Sequence, residues 1–282
     1  MRPAFLATLA VPALVSISSA QISTGASAVI ATRYVWRGIT QVNGWVFQPA
    51  LWVGARAGSV AISMSAWANL ELRRAGLDDL TLRGIDHRGL GELDLDLAIA
   101  RPLGPVEISA GWTRYTFHGD ATRGGRGAGS NTSELFLRTE WRASIVSPSL
   151  LIACDIDRVR GCYLETGVVL PVVATPEPRP ALALSLEPTA GWDQGQGLNP
   201  NNPSQGAHFA GNGLTHVDFP LALRIQLPGT TVEPAISFLG HLQWSRDGAT
   251  RTTDQLGSTS RIKAWIEVGA TIVAGLPTER RR

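Results

Sequence analysis

Apolar and polar side chains alternate with a period of two along most of the chain beyond its first twenty residues, the spacing of strands with one apolar and one polar face. In the clearest run, 60–70, Val60, Ile62, Met64, Ala66, Ala68 and Leu70 fall on one side, and Ala61, Ser63, Ser65, Trp67 and Asn69 on the other. In 92–100, Leu93, Leu95, Leu97 and Ile99 alternate with Glu92, Asp94, Asp96 and Ala98. A helix would scatter those three acids round its circumference, whereas a strand gathers them on one face. Ten further strands are predicted, at 28–38, 45–55, 106–117, 134–142, 150–156, 162–170, 181–192, 214–225, 231–241 and 261–272, making twelve in all.

The connections have their own rhythm. Segments 56–59, 101–105, 143–149 and 226–230 are short, whereas 118–133, 193–213, 243–260 and the segment between the third and fourth strands are long and polar. Short turns at one end, long loops at the other and an even strand count predict an all-β fold, a transmembrane antiparallel up-and-down β-barrel over 21–276 with both termini on the short-turn side. Two connections break the rhythm: 39–44 is short where a long loop belongs, and 171–180 is long and proline-rich where a turn belongs. A water-soluble β-sandwich has the same period with its apolar face turned inward, and periodicity alone does not separate the two.

Composition favours the barrel. Only 17% of residues are Asp, Glu, Lys or Arg against about 25% in ordinary soluble domains, and 44% are hydrophobic. Beyond the first twenty residues there is no uninterrupted apolar run long enough for a membrane helix; the stretch 38–55 contains Gln41, Asn43, Gln48 and Pro49. Residues 1–20 have the form of a cleaved signal peptide: Met1, Arg2 and Pro3, an apolar run over 4–16, and Ser18, Ser19 and Ala20 before Gln21. Export would place Cys154 and Cys162, which flank 155–161, where they can form a structural disulfide. The net charge of +2 gives no electrostatic case for a nucleic-acid partner.

A lipid-facing Arg near the midplane costs about 2–4 kcal/mol, so the charged strand positions are expected inside. As pore-lining residues the pattern nominates Arg33, Arg37, Glu92, Asp94, Asp96, Glu107, Glu134, Arg138, Glu140, Arg224, Glu233, Lys263 and Glu267, with Arg142, Glu165, Asp218 and Arg261 on the same face. That mixture of signs suits either a narrow water-filled pore or a network of ion pairs that fills it, and it specifies no charge selectivity. Trp36, Trp45, Trp67, Trp141, Trp192, Trp244 and Trp265 lie at or near strand ends, where aromatic girdles sit.

No catalytic motif is present. His241 and Ser245 are the one nucleophile and base pair worth naming, and neither catalysis nor a cofactor is expected from them. No metal site is expected either: Asp86 with His87 is too small a cluster, and Asp155 with Asp157 suits a tight turn.

The segment Ala31-Thr32-Arg33-Tyr34-Val35-Trp36-Arg37-Gly38-Ile39-Thr40-Gln41, followed by Gln48-Pro49-Ala50-Leu51, resembles the opening of the TorF-type porin family of bacterial outer-membrane proteins. The resemblance covers about the first fifty residues after the signal peptide and implies an exported small barrel; the family has no established substrate. Outer-membrane barrels usually end on an aromatic residue, and this chain departs from that pattern, with Glu267, Gly269, Ile272 and Ala274 followed by a basic tail over 277–282. The expected function is a narrow outer-membrane channel for small polar solutes, with outer-membrane lipid and the barrel-assembly machinery as partners. The alternatives are a non-conducting barrel that binds through its long loops and, least favoured, a lipid-modifying enzyme.

Overall fold

The computed structural model describes residues 21–72, 89–118, 131–142, 145–175, 181–198, 207–228, 232–248, 252–253 and 259–274. The expected signal peptide, the basic tail and the pair Asp86 and His87 lie outside the described residues.

The long alternating segments form strands, in order β1 Gln21–Ala31, β2 Tyr34–Trp36, β3 Ile39–Val42, β4 Val46–Ala57, β5 Val60–Glu71, β6 Gly89–Leu103, β7 Val106–Phe117, β8 Thr132–Trp141 and β9 Ser147–Asp155. Then come β10 Cys162–Ala174, β11 Ala181–Leu186, β12 Thr189–Gln194, β13 Gly213–Asp218, β14 Leu221–Gln226, β15 Val232–Ser245, β16 Thr252–Thr253, β17 Thr259–Ser260 and β18 Ile262–Ala274. β4 to β10 follow one another antiparallel around a wall, and β15 pairs with β18, which pairs with β1 and closes the sheet.

β11 and β12 are two lengths of one stave interrupted beside Pro188, and β13 and β14 two lengths of another interrupted beside Pro220. Proline has no N–H to donate. Its carbonyl still accepts: Val168 donates to the Pro188 oxygen at 3.1 Å and Glu187 to the Pro220 oxygen at 2.9 Å, so the register runs through both breaks. The wall is therefore a closed barrel of twelve staves.

Two predicted boundaries are corrected. The strand expected at 28–38 ends at Ala31, and the chain then turns inward as a separate hairpin, β2 with β3. Its two-residue loop is Arg37 and Gly38, with φ of 47° and 78°, the pair of positive values that such tight hairpins use. This insertion accounts for the connection 39–44 that looked too short. β10 runs on through Pro171 to Ala174 with an irregularity between Pro171 and Val173, so the first four residues of the apparent proline-rich loop are strand.

The faces are those of a membrane barrel. Large apolar side chains stand exposed on the outside, among them Leu51 at 64%, Ile62, Met64, Leu97, Ile266 and Ile272. Of the described strand residues only Arg101 and Arg114 put a charge on that face, both toward the strand ends. The buried apolar residues are inside: Ala31, Tyr34 and Val46 form one cluster, and Ile39, Tyr163 and Phe209 another, both packed against the inserted hairpin. A soluble sandwich would bury the apolar face that this barrel exposes.

Candidate functional site

The lumen divides into two unlike halves. In the half toward the long loops the β2–β3 hairpin crosses the interior. Its tip reaches the opposite wall, where the Arg37 guanidinium forks onto Glu134, Nη1 to Oε1 at 2.7 Å and Nη2 to Oε2 at 2.6 Å, with the two side chains 8% and 2% exposed. The guanidinium carbon lies 4.5 Å from the ring centroids of both Trp36 and Tyr163. Tyr115 donates to Glu134 Oε2 at 2.9 Å, so the carboxylate is satisfied on both oxygens. A non-glycine residue at positive φ is uncommon, and the two-residue turn of the hairpin puts Arg37 there.

The rest of the hairpin is fastened by polar contacts. Tyr34 donates to Glu92 Oε2 at 2.9 Å and its ring packs 5.4 Å from that of Trp67. Gln243 Nε2 donates to the Gly38 carbonyl at 3.0 Å; Lys263 donates to the same oxygen and to Thr40 Oγ1 at 3.1 Å. At the base, Arg33 donates to Asn43 Oδ1 at 3.0 Å, and partial burial lowers its pKa. Part of the β12–β13 connection folds over the tip: Phe209 stacks on Tyr163, and His208 meets the Trp36 ring edge-on at 5.0 Å.

Toward the short turns the inner face is reached by solvent. Ser63, Arg138 and Arg224 all point inward there and are exposed. Arg224 pairs with Glu187, Nη2 to Oε2 at 3.0 Å, and Arg142 with Glu107 at 2.9 Å. Between the halves His241 stacks on Trp265 at 4.3 Å, with Nδ1 2.8 Å from Asp218 and Nε2 3.6 Å from Glu267.

Strand parity puts the nominated residues on the inner face of the staves, with Arg33 and Arg37 the exceptions: both belong to the hairpin, because the strand that was to carry them stops at Ala31. Glu92, Asp94, Asp96 and Glu134 line the hairpin side; Asp96 accepts from Ser65 at 2.9 Å and Thr113 at 2.6 Å, and Asp94 Oδ1 is buried without a hydrogen-bond partner. Lys263 is also buried against the hairpin. Glu107, Glu140, Arg224 and Glu233 lie toward the short turns, and Glu267 sits with Trp265 and His241.

The girdle is half corrected. Trp45, Trp141 and Trp192 are exposed, and Trp244 alternates outward with Gln243 and Ser245 facing in. Trp36, Trp67 and Trp265 turn inward. Trp36 rides on the hairpin; Trp67 shares a face with Ser65 and Asn69, and Trp265 with Lys263 and Glu267. Cys154 and Cys162, opposite in register, form a disulfide across the β9–β10 hairpin. His241 and Ser245 do not make a pair, since both ring nitrogens of His241 face carboxylates and Ser245 accepts from Gln243.

Sequence reasoning missed Tyr34, Tyr115, Tyr163 and Gln243 as parts of the site. Tyr115 and Tyr163 alternate in step with Thr113 and Glu165, which marks them as inward, and Gln243 is in step with Ser245.

No family model matches the chain, and no curated protein matches it. Solved structures that superpose on it include the KdgM porin, at 8% identity over 88% of this chain and 97% of that one with a TM-score of 0.41. The NanC porin aligns at 9% identity over 89% and 99% with a TM-score of 0.44. An outer membrane channel from Pseudomonas putida F1 aligns at 10% identity over 90% and 95% with a TM-score of 0.49.

Proposed function

We propose that this chain is a bacterial outer-membrane porin, of the TorF type that its Tyr34–Gln41 segment resembles, and that it passes small polar solutes through a narrow lumen constricted by the inserted hairpin. The observation that carries the reading is the pairing of an apolar exterior with an interior whose charged side chains solvent reaches, Arg138 and Arg224 among them. A twelve-stave wall lies between the eight strands that side chains fill and the sixteen that leave a wide channel, so an inserted segment is enough to set its bore. In this reading the barrel works without catalysis or a cofactor. Its partners are outer-membrane lipid, the assembly machinery that inserts it and the solutes it passes.

A second reading rests on the depth of the hairpin tip, where Arg37 and Glu134 are almost fully buried. If the tip never leaves, the barrel is closed at that level and acts through its long loops. Planar-bilayer recording of refolded protein decides between them: the porin reading expects small, discrete current steps, and folded protein that inserts without any current would leave the surface-binding reading.

A further inference from the structure

The setting of Arg37 is a complete recognition site whose occupant is part of the chain. The wall supplies a carboxylate with both oxygens turned to one planar fork, Glu134, braced from behind by the Tyr115 hydroxyl at 2.9 Å. It also supplies the Tyr163 face, and the hairpin supplies the Trp36 face, each 4.5 Å from the guanidinium carbon. A two-toothed carboxylate between aromatic faces is the arrangement that selects a guanidinium over a compact ammonium or an alkali cation.

We infer that this cage is a binding site for guanidinium-bearing solutes, which Arg37 fills as a tethered occupant in the resting barrel. The inference rests on the porin reading for its physiological use, but the site itself does not. Glu134, Tyr115 and Tyr163 belong to the wall and stay in place when the hairpin tip leaves. A solute of the right shape then takes over the charge that Glu134 cannot keep buried alone. The tether holds Arg37 at high effective concentration, so in the wild-type barrel a free solute competes at a disadvantage.

Arg37→Gly empties the cage, and glycine suits the positive φ at that position. The probe is methylguanidinium chloride, with methylammonium chloride as the comparison. Saturation-transfer NMR on folded protein, checked by heat-modifiable migration, is expected to show methylguanidinium bound to Arg37→Gly at about millimolar concentration, with wild type and the double variant Arg37→Gly, Glu134→Gln at least about tenfold weaker. Methylammonium should bind less well than methylguanidinium. Equal binding to all three proteins, or none to Arg37→Gly, overturns the site. Should Arg37→Gly fail to fold, a barrel with 33–43 replaced by Gly-Gly keeps the three wall residues and carries the same test. Binding without bilayer current would keep the site and remove the porin reading, whereas current that methylguanidinium does not reduce, together with no NMR signal, would do the reverse.

Discussion

Gly38 lies so close to His216 that a β-carbon on it would stand 2.5 Å from the imidazole ring. The hairpin tip therefore fits against the wall only because position 38 has no side chain, and its φ of 78° favours glycine a second time. Gly38→Ala should undock the tip. Strain of about 1–2 kcal/mol at a positive φ, added to the clash, predicts amide exchange over 34–42 faster by about tenfold or more. Gly44, where an added methyl group would meet nothing within 4 Å, serves as the control: Gly44→Ala should leave exchange unchanged. Unchanged exchange in Gly38→Ala would contradict the docked hairpin.

Removing one partner of a buried ion pair costs more than removing both. Glu134→Gln leaves Arg37 charged, 8% exposed and without its carboxylate, a loss of about 3–5 kcal/mol. The double variant Arg37→Gly, Glu134→Gln should recover part of that loss. A double-mutant cycle on the temperature at which folded migration is lost reads the coupling; additive effects would show that the fork does not hold the hairpin.

The two faces of the wall should respond oppositely to charge. Leu97→Arg, at the middle of β6 on the outer face, should lower folding stability in lipid by about 2–4 kcal/mol. Ser63→Arg, inward and exposed in the short-turn half, should change it little. Refolding titrations into vesicles measure both, and the reverse order would invert the assignment of faces.

The disulfide closes a small loop. Cys154 and Cys162 are separated by 8 positions, so chain entropy allots the bridge about 2–3 kcal/mol. Reduction should lower the temperature at which folded migration is lost without opening the barrel, because the register from β9 to β10 continues for seven further pairs beyond the cysteines. Loss of the folded band at ambient temperature on reduction would contradict this.

The wall was legible because a strand that meets lipid on one side and water on the other alternates strictly, and Glu92, Asp94 and Asp96 leave no helical option. The hairpin was not legible for the same reason: Arg33 to Arg37 alternates in step with β1, so the pattern reads through the reversal at Thr32. The tryptophans show how position along a strand competes with parity. Trp67 sits near a strand end, as a girdle residue would, yet its parity with Ser63, Ser65 and Asn69 places it inside, and parity prevails because lipid admits one face only. Which inner residues meet across the lumen, such as Arg37 with Glu134, depends on the inserted hairpin and on barrel closure, and neither leaves a periodic trace.

In the porin reading the inserted hairpin sets the bore of a conducting barrel. Single-channel recording of wild type beside the barrel with 33–43 replaced by Gly-Gly tests it most directly, with heat-modifiable migration confirming that both are folded. A small conductance is predicted for the wild type and one several-fold larger for the shortened chain. Equal conductances, or no current from either folded barrel, would contradict it.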